Sequence, residues 1–587
     1  MIYKIKIENR DYTEWGIIEK NSTKEIKLKN INPIKDKLFN QDVFTIEDNK
    51  AKLLHSTTRS MKCIPGVIIL QDNKTYGKKG KKYYYKCVPD DKRFPIFLVP
   101  HKNVVHFNKV KKNKYITFNF LNWDGKFPIG MIQHVIGEID SLNNFYEYQL
   151  YCKSLYASIQ DFTKKTMNVL RERSEEEFVE HINKKYPNIE QRHNLNIFTI
   201  DPKSSKDFDD AASIQEKDDV YIISIYIANV AIWLDTMSLW ESFTRRVSTI
   251  YLPDRKRPML PTILSDGVCS LVEKRKRFAL TMDIILDKKT NEILNFKFLN
   301  TCITVKKNLR YDTEEMEKYK DYKKLLNVVK IMNTNFKYVE NINTCHDLIA
   351  YLMILMNYKC AQTFVENKKG LFRGAELNKT FVVPKNASTG IQKFLKMWNS
   401  FGGVYMLFPN LKSHDMLDLD AYIHITSPIR RLPDLLNIIQ IMDILDLMKM
   451  SEKSKQFYDS WTNDKNIDYI NQTIRSIRKV QNNCSLLNML TQDKELIKKQ
   501  FHGYMFEKIK RNDDLFQYMV YIEELNMVKR YTSRHDIQNQ TTQTFKLYIF
   551  SDEIRAQKKI RLELIILPIH NQSTHKSHNN VCISHRD

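Results

Sequence analysis

Ile197-Phe198-Thr199-Ile200-Asp201-Pro202-Lys203-Ser204-Ser205-Lys206-Asp207-Phe208-Asp209-Asp210-Ala211-Ala212-Ser213-Ile214 concentrates the chemistry of this 587-residue chain. Residues 197–200 are apolar and largely β-branched, long enough for a buried strand. The run ends on Asp201, and Pro202-Lys203-Ser204-Ser205 reads as a turn. Asp207, Asp209 and Asp210 follow, and at once a second apolar run. Four carboxylates therefore crowd one loop between two expected strands, with Lys203 and Lys206 as the only cations near in sequence. Like-charge repulsion disfavours such a cluster unless a cation occupies it. All-oxygen donors suit a hard ion such as Mg²⁺, which takes a few carboxylates, waters and phosphate oxygens. A solvated acidic loop or a structural calcium site is the alternative. The calcium-hand pattern fails, for the loop has neither a central glycine nor a closing glutamate. Carboxylate clusters also arise for structural reasons, so the loop alone leaves the choice open.

A second stretch narrows it. Residues 422–436 read Y-I-H-I-T-S-P-I-R-R-L-P-D-L-L. Together the two stretches resemble the ribonuclease II / ribonuclease R (RNB) family of exoribonucleases. Its first motif is an aspartate, five residues and D-x-D-D; its second is T-S-P-I-R-R-x-x-D. Both stand intact here, as Asp201…Asp207-Phe208-Asp209-Asp210 and Thr426-Ser427-Pro428-Ile429-Arg430-Arg431-Leu432-Pro433-Asp434, in the family's order and separation.

Length and composition set the bounds. The chain is long enough for several domains. It contains no run of about 18 consecutive apolar residues, and its start lacks a signal-peptide core, so a soluble cytoplasmic protein with no membrane span is expected. The nine cysteines are scattered, with no C-x-x-C pair and no zinc spacing, as reduced thiols would be. A net charge of +24 and a pI near 9.3 point to a polyanionic partner. A lysine-rich composition alone carries that reading only weakly.

Along the chain, residues 1–61 hold alternating runs at 2–7, 15–19, 25–28, 42–46 and 52–54, which predict an OB-type barrel. Residues 62–155 predict a second OB or cold-shock barrel with a more basic, aromatic surface. Its stretch Tyr76-Gly77-Lys78-Lys79-Gly80-Lys81-Lys82-Tyr83-Tyr84-Tyr85-Lys86 suits a single strand, cations for phosphates and rings for bases. It suits equally a basic hairpin whose tyrosines alternate between core and solvent. Lys92-Arg93-Phe94-Pro95, Trp123 and Phe127-Pro128-Ile129-Gly130 resemble the second cold-shock domain of the family's eukaryotic-type branch. Residues 156–190 read as a helical linker and 191–480 as the catalytic domain. There Tyr226-Ile227-Ala228-Asn229-Val230, residues 248–253, 258–261, Leu264-Ser265 with Cys269-Ser270-Leu271, and Leu309-Arg310-Tyr311-Asp312 follow further family motifs. Residues 348–360 and 435–448 carry apolar residues at helical spacing. Residues 481–495 read as a connector, 496–566 as a C-terminal OB-type barrel and 567–587 as a disordered tail. The expected fold is multidomain: an α+β RNB catalytic domain, a mixed sheet wrapped by helices, with two barrels before it and one after.

The resemblance implies a processive 3′→5′ exoribonuclease that hydrolyses single-stranded RNA to nucleoside 5′-monophosphates. It implies two Mg²⁺ ions, replaceable by Mn²⁺, held by Asp201, Asp207, Asp209 and Asp210, directly or through water. Arg430 would reach the scissile phosphate; the competing reading is a salt bridge to Asp434, four residues on. Tyr251, Tyr311 and Arg431 would hold the RNA end, and the residues alone would make both tyrosines core. With the first barrel starting near residue 1, a monomer untethered to an exosome ring is expected. Departures from the pattern are Ala350-Tyr351 where the family pairs glutamates, Ala375 and Asn437-Ile438 where histidines are usual, and a short segment where bacterial members carry a third clamping aromatic, with Phe336 and Tyr338 the candidates to replace it. An inactive RNA-binding scaffold with the same fold is the alternative; a polyanion binder resting on charge alone would leave the motifs unexplained.

Overall fold

The computed structural model describes residues 1–19, 24–26, 28, 30–102, 111–378, 382–400, 402–552 and 556–565. Strands β1 (Tyr3–Ile7), β2 (Trp15–Glu19), β3 (Glu25–Ile26), β4 (Val43–Glu47) and β5 (Lys50–His55) pair in the order β3-β2-β1-β4-β5. Their alternation is the expected one: Tyr3, Ile5 and Ile7 turn inward while Lys6 faces solvent. A second sheet comprises β6 (Ile64–Ile68), β7 (Lys78–Lys79), β8 (Lys82–Pro89), β9 (Phe97–Lys102), β10 (Lys114–Asn122) and β11 (Ile129–Glu138). Its order is β6-β10-β11-β9-β8-β7, and β6 also pairs with β8, which closes the sheet on itself as a barrel requires.

One buried cluster runs through both sheets, joining Ile5, Ile17 and Phe44 to Val99 and Phe118. Phe39 stands at its centre, stacked on Phe97 at 5.8 Å and against Trp123 at 4.9 Å. The basic β7–β8 hairpin takes the core-and-solvent alternation. Tyr85 is buried, while Lys86 lies 5.1 Å over Tyr76 and Lys78 5.5 Å over Tyr83.

The central sheet is mixed. It contains β12 (Glu190–Arg192), β13 (Phe198–Asp201), β14 (Asp210–Lys217) and β15 (Val220–Ala228); β16 (Ile250–Tyr251) and β17 (Lys256–Arg257) form a separate hairpin; β18 (Lys276–Asp287), β19 (Ile293–Thr304) and β20 (Lys307–Arg310) complete it. The order is β12-β19-β18-β15-β14-β13-β20, antiparallel in the middle with parallel pairs β12–β19 and β13–β20. β13 ends on Asp201 and its antiparallel neighbour β14 begins on Asp210, so the acidic loop returns between adjacent strands.

Helices cover the sheet. The stretch 156–190, expected as a linker, forms helices Gln160–Glu172 and Glu175–Lys185, the second opened by a Ser174/Glu177 capping box. Their Phe162, Phe178, Val179 and Ile182 enter the same buried cluster as the central sheet, so these helices belong to its core. The helix Cys345–Glu366 is long and apolar enough to cross a membrane by length and composition. Here Leu348, Leu352, Leu355 and Met356 are wholly buried against protein. β21 (Leu371–Gly374) and β22 (Val404–Leu407) pair beneath the helix Leu432–Ile444. The connector expected from residue 481 is, as far as 492, the end of a 29-residue helix, Asp464–Gln492. Val480, Cys484 and Leu487 give it a buried stripe at helical spacing.

The chain divides into two compact units, the smaller centred on residues 489–552. That unit is built on β23 (Gln500–Lys510), β24 (Phe516–Ile522), β25 (Met527–Ser533), β26 (Thr541–Asp552) and β27 (Gln557–Leu564), in the order β25-β24-β23-β26-β27. Among the described residues all eight cysteines are free, six of them buried. The tail 567–587 lies outside the described residues.

Candidate active site

Residues distant in sequence shape the acidic loop. Arg310, at the end of β20, donates through Nη1 to the carbonyls of Pro202 and Ser205, each at 3.2 Å. Its guanidinium also lies 5.1 Å from the centre of the Phe208 ring. Ser270 Oγ accepts from the Phe208 N–H at 2.9 Å and donates to the Lys206 carbonyl at 2.8 Å. Held in this way, the four aspartates face four different surroundings.

Asp209 is only 2% exposed, and both of its oxygens are engaged. Oδ1 accepts from the Ile429 N–H at 2.8 Å and Oδ2 from Arg430 Nε at 2.9 Å, so the two motifs meet at this one carboxylate. Burial raises its pKa to about 7 against the pull of Arg430 and the Ile429 amide. Asp207 is paired instead with Lys256, whose ammonium donates to Asp207 Oδ1 at 2.9 Å and to Asp266 Oδ1 at 2.8 Å.

Asp201 and Asp210 are left facing each other. Asp201 Oδ2 is buried without a hydrogen-bond partner, and the Asp210 carboxylate makes no hydrogen bond among the described residues. Burial raises both carboxyls to about 7; the charge of Asp209 adds to this at Asp201, and that of Asp201 adds to it at Asp210. An all-oxygen donor set with an orphaned buried oxygen fits a hard divalent ion.

Arg430 contributes only Nε to Asp209; its side chain is 43% exposed, and its two amino groups make no hydrogen bond among the described residues. Tyr251, on the β16–β17 hairpin, is 44% exposed, so it is no core residue. Its hydroxyl end is turned inward, where burial and the neighbouring Asp207 raise its pKa. The Tyr311 N–H donates to the Asp201 carbonyl at 3.0 Å. Burial, then Asp210 and Asp201, push its phenol up to about 12. Its ring lies 4.1 Å from that of His346.

The structure thus gathers Asp201, Asp207, Asp209, Asp210, Arg430, Tyr251 and Tyr311. Arg431 points elsewhere and takes the Asp434 salt bridge considered for Arg430, Nη2 to Oδ1 at 2.8 Å. Lys256, Asp266 and His346 join the site without any signal in the sequence. Arg310 and Ser270 stood inside motif segments, but nothing in those segments marked the bonds they make.

The departures have structural roles. Asn437 is fully buried; its Oδ1 accepts from the Leu371 N–H, and its Nδ2 donates to the Leu371 and His424 carbonyls. Ala375 forms a β-bridge with His414, so an imidazole stands on the facing segment. Tyr351 is wholly buried and Tyr338 packs on it at 5.5 Å, whereas Phe336 remains exposed.

A mixed sheet with clustered carboxylates at one strand end, helices around it and barrel-like sheets before and after it in the chain define a multidomain α+β fold. Residues 190–319 match the RNB domain and residues 84–147 the Dis3-like cold-shock domain 2 (CSD2). Ribonuclease R of Buchnera aphidicola is 28% identical over 325 residues, 42% of this chain and 44% of that protein. The chain spans less than half the length of the first ribonuclease R relatives it matches. Mycoplasma genitalium RNase R, solved with ribose-methylated single-stranded RNA, has the same fold: TM-score 0.69 at 17% identity, covering 96% of this chain and 100% of that one. Yeast Ssd1, described as a pseudonuclease, shares it at TM-score 0.56 and 12% identity, covering 90% of this chain and 78% of that one.

Proposed function

We propose that this chain is a divalent-metal-dependent 3′→5′ exoribonuclease that digests single-stranded RNA processively to nucleoside 5′-monophosphates. The observation that carries the reading is the Asp201–Asp210 pair: two adjacent carboxylates, one with a buried orphan oxygen, and no cation bonded to either among the described residues. Asp201 and Asp210 would hold the ion, Mg²⁺ or Mn²⁺. Bound there, it supplies Lewis acidity for an attacking water and for charge building on the phosphoryl oxygens.

The chain's own groups do the rest. Asp209 orients Arg430 through Nε, leaving the guanidinium's amino edge for the scissile phosphate. Tyr251 and Tyr311 present rings to the terminal bases, and stacking tolerates any base. Water oxygen bonds to phosphorus, the bond to the 3′-oxygen of the preceding nucleotide breaks, and that oxygen takes up a proton. The phosphate leaves on the 5′ side of the released nucleotide.

The test is degradation of a 5′-labelled single strand with Mg²⁺, with EDTA, and by Asp210→Asn. Stepwise shortening that EDTA and Asp210→Asn both abolish is expected. One observation favours a second reading, an RNA-binding scaffold without turnover. Lys256 already neutralises Asp207, so a second cation there would have to displace it. RNA binding with no mononucleotide release under any divalent ion would select that reading.

A further inference from the structure

Arg430 and Arg431 are adjacent in sequence but turn to different surroundings. Arg431 Nη1 lies 3.4 Å from His424 Nδ1, and the same nitrogen is 2.6 Å from the Tyr405 hydroxyl. Across the Tyr405 ring lies Arg373 of β21, its guanidinium 5.0 Å from the ring centre. Arg373 is 7% exposed, yet its side chain makes no hydrogen bond among the described residues. Space is kept for it by Gly403, where a Cβ would fall 1.9 Å from Arg373 Nη2. Arg478, on the helix Asp464–Gln492, closes the group; burial first, then Arg373 and Arg431, lower its pKa, so the three cations feel one another. Arg431 Nε is a buried donor without an acceptor.

The anions facing this cluster are few. Asp434 Oδ1 is committed to Arg431 and to the Ser427 N–H, while its Oδ2 is buried without a partner. Asp415 stands beside His414 and accepts from Ser413 Oγ and the Leu377 N–H. His414 and His424 stay neutral, both depressed by burial and then by the arginines. The Tyr405 face offsets part of the Arg373 charge but accepts none of its in-plane N–H bonds. A buried guanidinium with unmet donors is costly unless an anion completes it. Planar guanidinium forks match a phosphoryl group better than a monatomic ion.

We propose that Arg373, Arg431, Arg478 and Tyr405 form a phosphoryl-anion subsite beside the carboxylate centre. The phosphate is either an internucleotide phosphate of bound RNA or that of a released nucleoside 5′-monophosphate; naming these two sources rests on the nuclease reading, the anion site itself does not.

The experiment uses the full chain in EDTA, where nothing turns over, so a failure of hydrolysis and a failure of this proposal stay separate. Inorganic phosphate, AMP and a short labelled RNA are titrated into wild type, Arg373→Gln and Arg478→Gln, following the melting midpoint and RNA binding by anisotropy. Phosphate or AMP should raise the wild-type midpoint, not that of Arg373→Gln, and Arg478→Gln should weaken binding about tenfold. If the source is the RNA strand, AMP has no effect while both variants lose RNA affinity and phosphate competes with RNA. Arg478 lies on the helix surface with only its guanidinium end partly covered, so its variant remains informative if Arg373→Gln does not fold. No stabilisation by phosphate or AMP, together with wild-type RNA affinity in the folded variants, would overturn the proposal.

Discussion

The four aspartates of the acidic loop are equivalent in sequence and different in the fold. Nothing in D-x-D-D tells which carboxylate will be buried against a guanidinium, because that partner lies 221 residues away. The sequence therefore showed the cluster and the two motifs, but not the division of labour within them. Asp209→Asn tests that division. The amide can accept from only one of the two donors that now meet Asp209, and leaving a buried donor unpaired costs about 1–3 kcal/mol. The variant should lose activity and melt at a lower temperature than Asp210→Asn, which removes one of two repelling charges. Equal melting points would place Asp209 with Asp201 and Asp210 as an ion ligand. Lys256→Met addresses Asp207. With the ammonium gone, Asp207 and Asp266 are left free to attract a cation, so half-maximal activity should need less Mg²⁺. An unchanged Mg²⁺ requirement means that Asp207 serves the loop alone.

At the level of elements, period-two alternation made the strands legible: every run expected in the first sixty residues coincides with an observed strand to within a few residues. Helices hidden in polar sequence were not. Val480, Cys484 and Leu487 lie on one stripe among asparagine, glutamine and serine, and the polar composition read as a connector. The β16–β17 hairpin was likewise invisible, since two-residue strands carry no period. It sets Tyr251 with its ring exposed between buried Ile250 and Leu252. Tyr251→Ala should leave the attack on long RNA nearly unchanged, because the basic surface supplies most of that affinity. Losing one stacked base costs about 1–3 kcal/mol, which matters once the RNA is short. The limit product should lengthen by one or more nucleotides on a sequencing gel; an identical end product would remove Tyr251 from the clamp.

For the whole molecule, charge is the controlling variable. Asp201, Asp209 and Asp210 keep their protons up to about pH 7 in the folded chain, against a carboxyl value near 3.8 when free. The folded state thus binds more protons across that window. Stability from these groups is full below pH 3.8 and is lost as pH rises through about 7. In EDTA the melting point should fall between pH 5 and pH 8. Mg²⁺ should restore it more at pH 8 than at pH 6, because protons compete for the same oxygens. A metal-free melting point that does not change across this range would mean that the three carboxyls titrate normally.

The bond from the Ile429 amide to Asp209 has one more consequence, in the time domain. It joins positions 220 residues apart, a contact of very high sequence separation, and contacts of that kind form late in folding. During refolding from denaturant, strand and helix signals should return first, and nuclease activity only with the slowest phase. During synthesis the acidic loop emerges long before its arginine, so Asp209 stays without its cationic partner until the second motif has left the ribosome.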